Sequence, residues 1–265
     1  MARFLTLLSD FGSKDAYVGA MKGAIAMISP DLNVIDLTHD ILPQNIAAAS
    51  YNLRSTYAYF PSGTVHVAVV DPGVGSDRRG VAIAFHNHAI EGFLVGPDNG
   101  IFTGILAETE IIVAMELTNQ DYWRSPQASN TFHGRDIFAP VGAHLASGLS
   151  IGSLGKEVNP ASLVKLKLPD LWQEDGKITG CIQYIDGFGN LITNIPAKLI
   201  DGQDWAVILG GQEIKGGHTY ASAKMGELVA LVGSNGWVEL AVNCGSARSR
   251  LRLDYGDPIQ LVIDP

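Results

Sequence analysis

Four short segments carry side chains able to move a proton or hold a small polar ligand. The first is Leu7-Leu8-Ser9-Asp10-Phe11-Gly12 and the second runs from Val70-Asp71-Pro72-Gly73 through Val74-Gly75-Ser76-Asp77 to Arg78-Arg79. The third is Thr131-Phe132-His133-Gly134-Arg135-Asp136 and the fourth Tyr184-Ile185-Asp186-Gly187-Phe188-Gly189-Asn190. Glycines in the second segment permit tight turns and close approach of a ligand to the backbone, so Asp71 and Arg78 can fold back toward one another. A carboxylate, a guanidinium and an imidazole are the group types that orient a water and take or stabilise a proton. Each segment alone also has a structural reading: Asp is a common turn and cap residue, and His133 with Asp136 can cap a helix. Gly73 to Gly75 is not a phosphate-cradling loop, because no Gly-Lys-Ser/Thr follows, and no G-x-G-x-x-G opens a helix. No recognised metal-ligand spacing joins Asp10, Asp71 and His133. His86 and His88 have no third ligand nearby in sequence and read as part of an exposed turn.

The elements that must position these groups follow from the hydrophobic periodicity. Short apolar runs at Phe4–Leu8, Asn33–Leu37, Thr64–Val70, Val81–Phe85, Gly92–Val95 and Ile111–Leu117 read as strands. Helical spacing appears at Val18, Met21, Ile25 and Ile28, again from Ile46 to Tyr57, near Ile101–Glu108, and from Ile137 to Ala146. Strands alternating with helices predict an α/β unit with a mainly parallel sheet flanked by helices. In such sheets ligands sit outside the carboxyl ends of the strands. Asp10, Asp71 and Asp98 lie at or just beyond such ends, and Asp36 lies within one turn of another.

From about Leu163 the texture changes to short β-rich runs separated by Gly, Asn and Asp turns, which predicts a smaller C-terminal antiparallel β-barrel or sandwich. The predicted organisation is an N-terminal α/β domain over residues 1–168, a linker over 169–176 where Pro, Asp, Glu and Gly cluster, and a β-barrel domain over 177–265. Arg248, Arg250 and Arg252 alternate with Ser249 and Leu251, the pattern of a strand's solvated face.

Composition excludes several classes. The 265 residues are 46% hydrophobic and 17% charged, as expected of a folded enzyme-sized chain. A net charge of −9 without any Lys/Arg run disfavours nucleic acid as partner. No apolar run reaches the roughly eighteen residues of a membrane span, and the first apolar run is too short for a signal peptide, so a cytoplasmic location is expected. Cys181 and Cys244 are far apart and read as small buried residues rather than as a disulfide or zinc pair.

Taken together, in this order and over nearly the whole chain, the four segments resemble the S-adenosyl-L-methionine (SAM) hydroxide adenosyltransferase family, water-using relatives of the fluorinase and chlorinase. Thr219-Tyr220, Gly233-Ser234-Asn235-Gly236-Trp237 and Asn243 extend the resemblance. It implies a homotrimer with ligand bound between the N-domain of one subunit and the C-domain of the next, SAM as substrate, adenosine as product and no cofactor. By the same resemblance Asp71, Arg78 and His133 are catalytic and Asp10 binds ribose. Asp186 takes the methionine amino group, Phe188 stacks on adenine, Asn190 hydrogen-bonds it, Tyr220 lies against it, and Ser234 meets the methionine carboxylate. Gln44 and Asn235 stand where the fluorinase has a Trp and an Arg. Asp71, Val74 and Gly134 replace its halide-site Tyr, Thr and Ser.

This chemistry suits the residues. A sulfonium leaves as a neutral thioether and needs no acid, so the difficulty is the nucleophile: bulk water has a pKa of about 15.7. Arg78 supplies a fixed positive charge and holds Asp71, while either Asp71 or His133 can take the proton. A halogenase is disfavoured because a carboxylate repels halide. A SAM- or adenosine-binding protein without turnover is the remaining alternative, and it would need no water-activating groups.

Overall fold

A computed structural model describes residues 3–167 and 170–263. The chain divides into two compact units, Met1–Leu166 and Lys167–Pro265.

The first unit contains β1 (Phe4–Ser9), α1 (Tyr17–Ile28), β2 (Asn33–Thr38), α2 (Ile46–Thr56), β3 (Thr64–Val69), β4 (Gly80–His86) and β5 (Glu91–Pro97). It continues with α3 (Thr103–Leu106), β6 (Glu110–Glu116), α4 (Ala139–Ala146) and β7 (Lys156–Glu157). The sheet order is β2-β1-β3-β5-β4-β6-β7. The strands β2, β1, β3 and β5 are parallel, and β4, β6 and β7 continue the sheet antiparallel. Every residue of β3, Thr-Val-His-Val-Ala-Val, is buried, as expected for a strand covered on both faces. Leu5, Leu7, Val65 and Val67 share a core with Phe138 and Val141 of the α4 region. Gly142 makes this close packing possible, since a Cβ there would lie 2.5 Å from Val67 Cγ2.

Two details set up the site. First, β5 lies between β3 and β4, so residues 70–79 arch over the carboxyl end of β5 across two strand spacings, about 10 Å. Second, α4 is entered through a wide π-type turn, Gly134–Phe138, an irregularity frequent at functional sites.

The second unit contains β8 (Trp172–Glu174), β9 (Lys177–Ile185), β10 (Leu191–Pro196), β11 (Trp205–Leu209), β12 (Gln212–Gly217), β13 (Leu228–Val232), β14 (Trp237–Val242), α5 (Ala247–Leu251) and β15 (Pro258–Ile263). Because β9 pairs with both β10 and β15, seven strands close into a barrel in the order β10-β14-β13-β12-β11-β15-β9, with β8 outside. Closure removes free edges. Ile178, Leu191, Val207, Leu240 and Leu261 fill the interior. All described pairings are antiparallel except β12 with β13.

Four local expectations are corrected. Leu163 to Leu168 is not a strand over its described part: Val164 N donates to Asp98 Oδ1 at 2.9 Å and Leu166 N to Thr103 Oγ1 at 2.9 Å, which ties this stretch to the first unit. Leu168 lies outside the described residues. Residues 172–174, expected in the linker, pair with β9 as β8. Arg248 to Arg252 form helix α5 and its left-handed end rather than a strand. Ser246 Oγ caps the helix by accepting from Ser249 N, and Ala247 anchors it in the core. Of the cysteines only Cys181 is buried; Cys244 is exposed.

Candidate active site

The arch between β3 and β4 folds Arg78 back onto Asp71. Arg78 Nε donates to Asp71 Oδ1 at 2.9 Å and to Oδ2 at 3.1 Å, and Nη2 also donates to Oδ2. The same Nη2 lies 2.7 Å from His133 Nδ1. Asp71, Arg78 and His133 therefore form one connected cluster, with the guanidinium in the middle and 5.2 Å over the Phe138 ring. Gly75 brings the arch to the His133 segment: it has φ +80°, and a Cβ there would stand 2.5 Å from Asn130 O. Only glycine tolerates both conditions.

The arginine contact fixes the histidine's protonation. Guanidinium has donors and no acceptor, so Nδ1 accepts, and the neutral ring carries its proton on Nε2. Burial, and then the Arg78 charge, hold the His133 pKa below its ordinary value, against the opposing charges of Asp71 and Asp136. Asp136 is not a chemical partner but a clasp. It is fully buried and accepts from Arg124 Nε at 2.6 Å, Arg135 Nε at 2.7 Å and Ser129 N at 2.9 Å. Burial alone would raise its pKa, yet these bonds hold the carboxyl far below the usual range. The clasp secures the π-type turn next to His133.

Asp10, Phe11, Gln44, Asp71, Val74 and His133 line a cavity of about 430 Å³. Asp10 follows β1, and its Oδ2 accepts from Gln44 N at 2.8 Å. Phe132 closes one side with aromatic contacts to Phe11 at 5.7 Å and Tyr17 at 5.3 Å. Asp98 does not join this group. It is buried, bonds Arg79 Nε at 3.0 Å, and braces the arch from beneath.

In the second unit, Asp186 shapes the turn after β9. Its Oδ1 accepts from Phe188 N and Asn190 N, each at 2.9 Å, and its Oδ2 from Asn190 Nδ2 at 2.9 Å. The turn thrusts out Phe188, which is 81% exposed, while Asn190 is buried. Tyr220 O–H donates to Glu239 Oε1 at 2.6 Å. Glu239 is only 7% exposed, and burial together with the Asp186 charge pushes its carboxyl up. Asp186, Tyr220 and Glu239 thus share one neighbourhood, and Ser234 sits exposed in the turn between β13 and β14. Sequence reasoning missed Glu239; its one signal is a lone acid in the otherwise apolar strand Trp237-Val238-Glu239-Leu240-Ala241-Val242. A separate recess of about 940 Å³ beside Trp205, Lys215 and His218 holds none of these residues.

An α/β sheet carries a carboxylate–guanidinium–imidazole cluster at its carboxyl edge, group types able to orient and deprotonate a small nucleophile, in a chain that continues into a closed barrel. The chain belongs to the SAM hydroxide adenosyltransferase family: residues 5–155 match its N-terminal domain and residues 180–260 its C-terminal domain. It is 37% identical to the (R)-S-adenosyl-L-methionine hydrolase of Salinispora tropica, over 97% of both chains. A fluorinase from Actinopolyspora mzabensis is more distant, at 26% identity over 97% of this chain and 96% of its own. The crystal structure of an uncharacterized conserved protein from Thermotoga maritima has a TM-score of 0.90 and 35% identity, covering 97% of this chain and 99% of that one.

Proposed function

We propose that the chain hydrolyses SAM to adenosine and L-methionine, with Asp71, Arg78 and His133 as the water-activating group. The water oxygen attacks the ribose C5′, the C5′–S bond breaks with its electron pair going to sulfur, and one of the water's two protons goes to a base while the other stays on the new 5′-hydroxyl. The supporting observation is that one guanidinium nitrogen of Arg78 touches both partners. With Nδ1 engaged by Arg78, His133 offers an Nε2–H donor that orients the attacking oxygen. Asp71 is then the proton acceptor, because its Oδ1 takes a single bond from Arg78 and keeps a lone pair.

The attack cancels charge between hydroxide and sulfonium, so a dry site with fixed dipoles favours it. The leaving thioether is neutral, and no cofactor enters the reaction as written. Asp10 is assigned to the ribose, Asp186 to the methionine amino group and Ser234 to its carboxylate. Phe188, Asn190 and Tyr220 are assigned to the adenine. Stacking on such rings contributes about 1–3 kcal/mol per base. The carboxylate of Asp71 repels halide, which favours water over a halide as nucleophile.

The same reading includes assembly as a homotrimer and a cytoplasmic location. The exposure of Phe188 supports a ring that is covered in the working assembly, and no helix among the described residues is long and apolar enough to cross a membrane.

The test is incubation of the purified protein with SAM in ¹⁸O-labelled water. Adenosine labelled in its 5′-hydroxyl, with methionine unlabelled, is the expected result. Retention of SAM or adenosine without turnover would instead make the protein a binder. A 5′-halogenated nucleoside in the presence of halide would make it a halogenase.

A further inference from the structure

Behind Asp10, a second chain of polar groups runs from the buried edge of the sheet out to the surface. Ser9, the last residue of β1, is fully buried, and its Oγ lies 2.7 Å from Nδ1 of His39, the residue after β2. Phe11 N donates to the same Oγ at 3.3 Å. Nε2 of His39 faces Asp36 Oδ1 at 3.1 Å in a bent contact; a carboxylate only accepts, so the ring proton sits on Nε2 and Nδ1 accepts from the Ser9 hydroxyl. Asp36 accepts in turn from Lys22 Nζ of α1 at 2.6 Å. Ser, His and Asp in this order match a hydrolytic triad, but a serine with no accessible surface reaches no substrate. The arrangement must serve something other than nucleophilic attack.

What it holds is the wall of the cavity. The backbone C=O of His39 accepts from Gly12 N at 2.8 Å, while its ring takes Ser9. One residue thus grips the Ser9–Gly12 turn on both sides of Asp10. The loop that begins at His39 runs on to Gln44, whose N–H is the donor to Asp10 Oδ2. Gln44 adopts φ 67°, a left-handed conformation that a non-glycine residue keeps only where its surroundings impose it. Asp10, Phe11, Pro43 and Gln44, from the two loops, all line the cavity.

We propose that His39 is a positioning residue that clamps these two loops together and so presents Asp10 to the substrate ribose. This rests on the reading of Asp10 as the ribose ligand. The reacting groups sit on the β3–β4 arch and at the start of α4, whereas the bonds of His39 go to Ser9, Gly12 and Asp36. Loss of the clamp therefore weakens nucleoside binding while leaving the bond-breaking step nearly intact.

The experiment measures adenosine affinity by calorimetry, with KM and kcat for SAM and the melting temperature, in Asp10→Ala, Ser9→Ala, His39→Gln and His39→Asn. Asp10→Ala is expected to weaken adenosine about tenfold or more. His39→Gln, which reaches past Ser9, should raise Kd and KM about tenfold with kcat within about threefold. Ser9→Ala should do so about threefold. His39→Asn, whose amide falls where Nδ1 was and can still bond Ser9, should restore Kd to within about threefold of wild type. Wild-type affinity in His39→Gln and Ser9→Ala alongside weak binding in Asp10→Ala overturns the clamp alone. Parallel loss of kcat and melting temperature at unchanged Kd does the same. Wild-type affinity in Asp10→Ala overturns the ribose reading and the clamp with it.

Discussion

Replacing Arg78 by Lys keeps the positive charge and removes the fork. Arg78 now spans both Asp71 oxygens and His133 Nδ1 with two nitrogens. A single ammonium on a flexible stem retains one of these anchor points and gives up at least two bonds: one arm to Asp71 and the link to His133. Hydrogen bonds to charged groups are each worth about 1.5–3 kcal/mol. Two of them near the lower end of that range come to about 3–4 kcal/mol of lost organisation, which must be regained in every turnover. At about 1.4 kcal/mol per tenfold, kcat falls about 10²- to 10³-fold. KM should move less than about threefold, because Arg78 does not line the cavity. Steady-state adenosine release at saturating SAM, followed by chromatography, reads kcat directly. An Arg78→Lys enzyme within about threefold of wild-type kcat would show that a nearby charge suffices and that the fork linking Asp71 to His133 has no part in the reaction.

Two further outcomes follow from histidines with lowered pKa values. His133 must be neutral to accept from Arg78, and burial and the Arg78 charge lower its pKa. Its protonation on acidification should therefore give kcat an acid limb below pH 6.5 and no corresponding loss above it, with the limb absent from the weak residual activity of His133→Ala. A limb centred above pH 7 would contradict the accepting role of Nδ1. His66, buried on β3 and bonded to Thr6 Oγ1 at 2.8 Å, has its pKa pushed down to about 4 by burial. The unfolded chain binds that proton more readily, so stability is full above pH 6.5 and is lost as pH falls toward 4. At about 1.4 kcal/mol per pH unit, the gap from 6.5 to about 4 is worth about 3 kcal/mol. Urea midpoints at pH 7, 5.5 and 4 should show this loss, and His66→Gln should flatten it; an unchanged slope would remove His66 as its source.

The sequence made legible what is encoded locally. Strands β1 to β6 follow from apolar runs of the right length, and the return of Arg78 toward Asp71 follows from glycines in a short loop. What it hid depends on contacts between distant residues. Asp98 resembles Asp71 in its strand-end position, yet Arg79 and the 164 backbone bury it. Ser9 and His39 are thirty positions apart and meet only because β1 and β2 are parallel neighbours. Arg248 to Arg252 alternate like a strand, but a serine cap and one buried alanine are enough to make a helix over five residues. Glu239 looks like an ordinary strand acid until the barrel closes around it. The meeting of His133 with Arg78 was expected from family resemblance rather than from spacing, since 55 residues separate the two.

The arch over β5 has both feet in residues without accessible surface, Val70 at one end and Val81 at the other. Ends anchored in this way move with the core, and a close-packed interior passes displacement on rather than absorbing it. Repacking at Val67 or Val95, far from any ligand, would shift Asp71 against His133. Natural or laboratory selection for turnover would then act on hydrocarbon that no substrate ever meets, and variants with altered rates should accumulate beneath the arch as well as around the cavity.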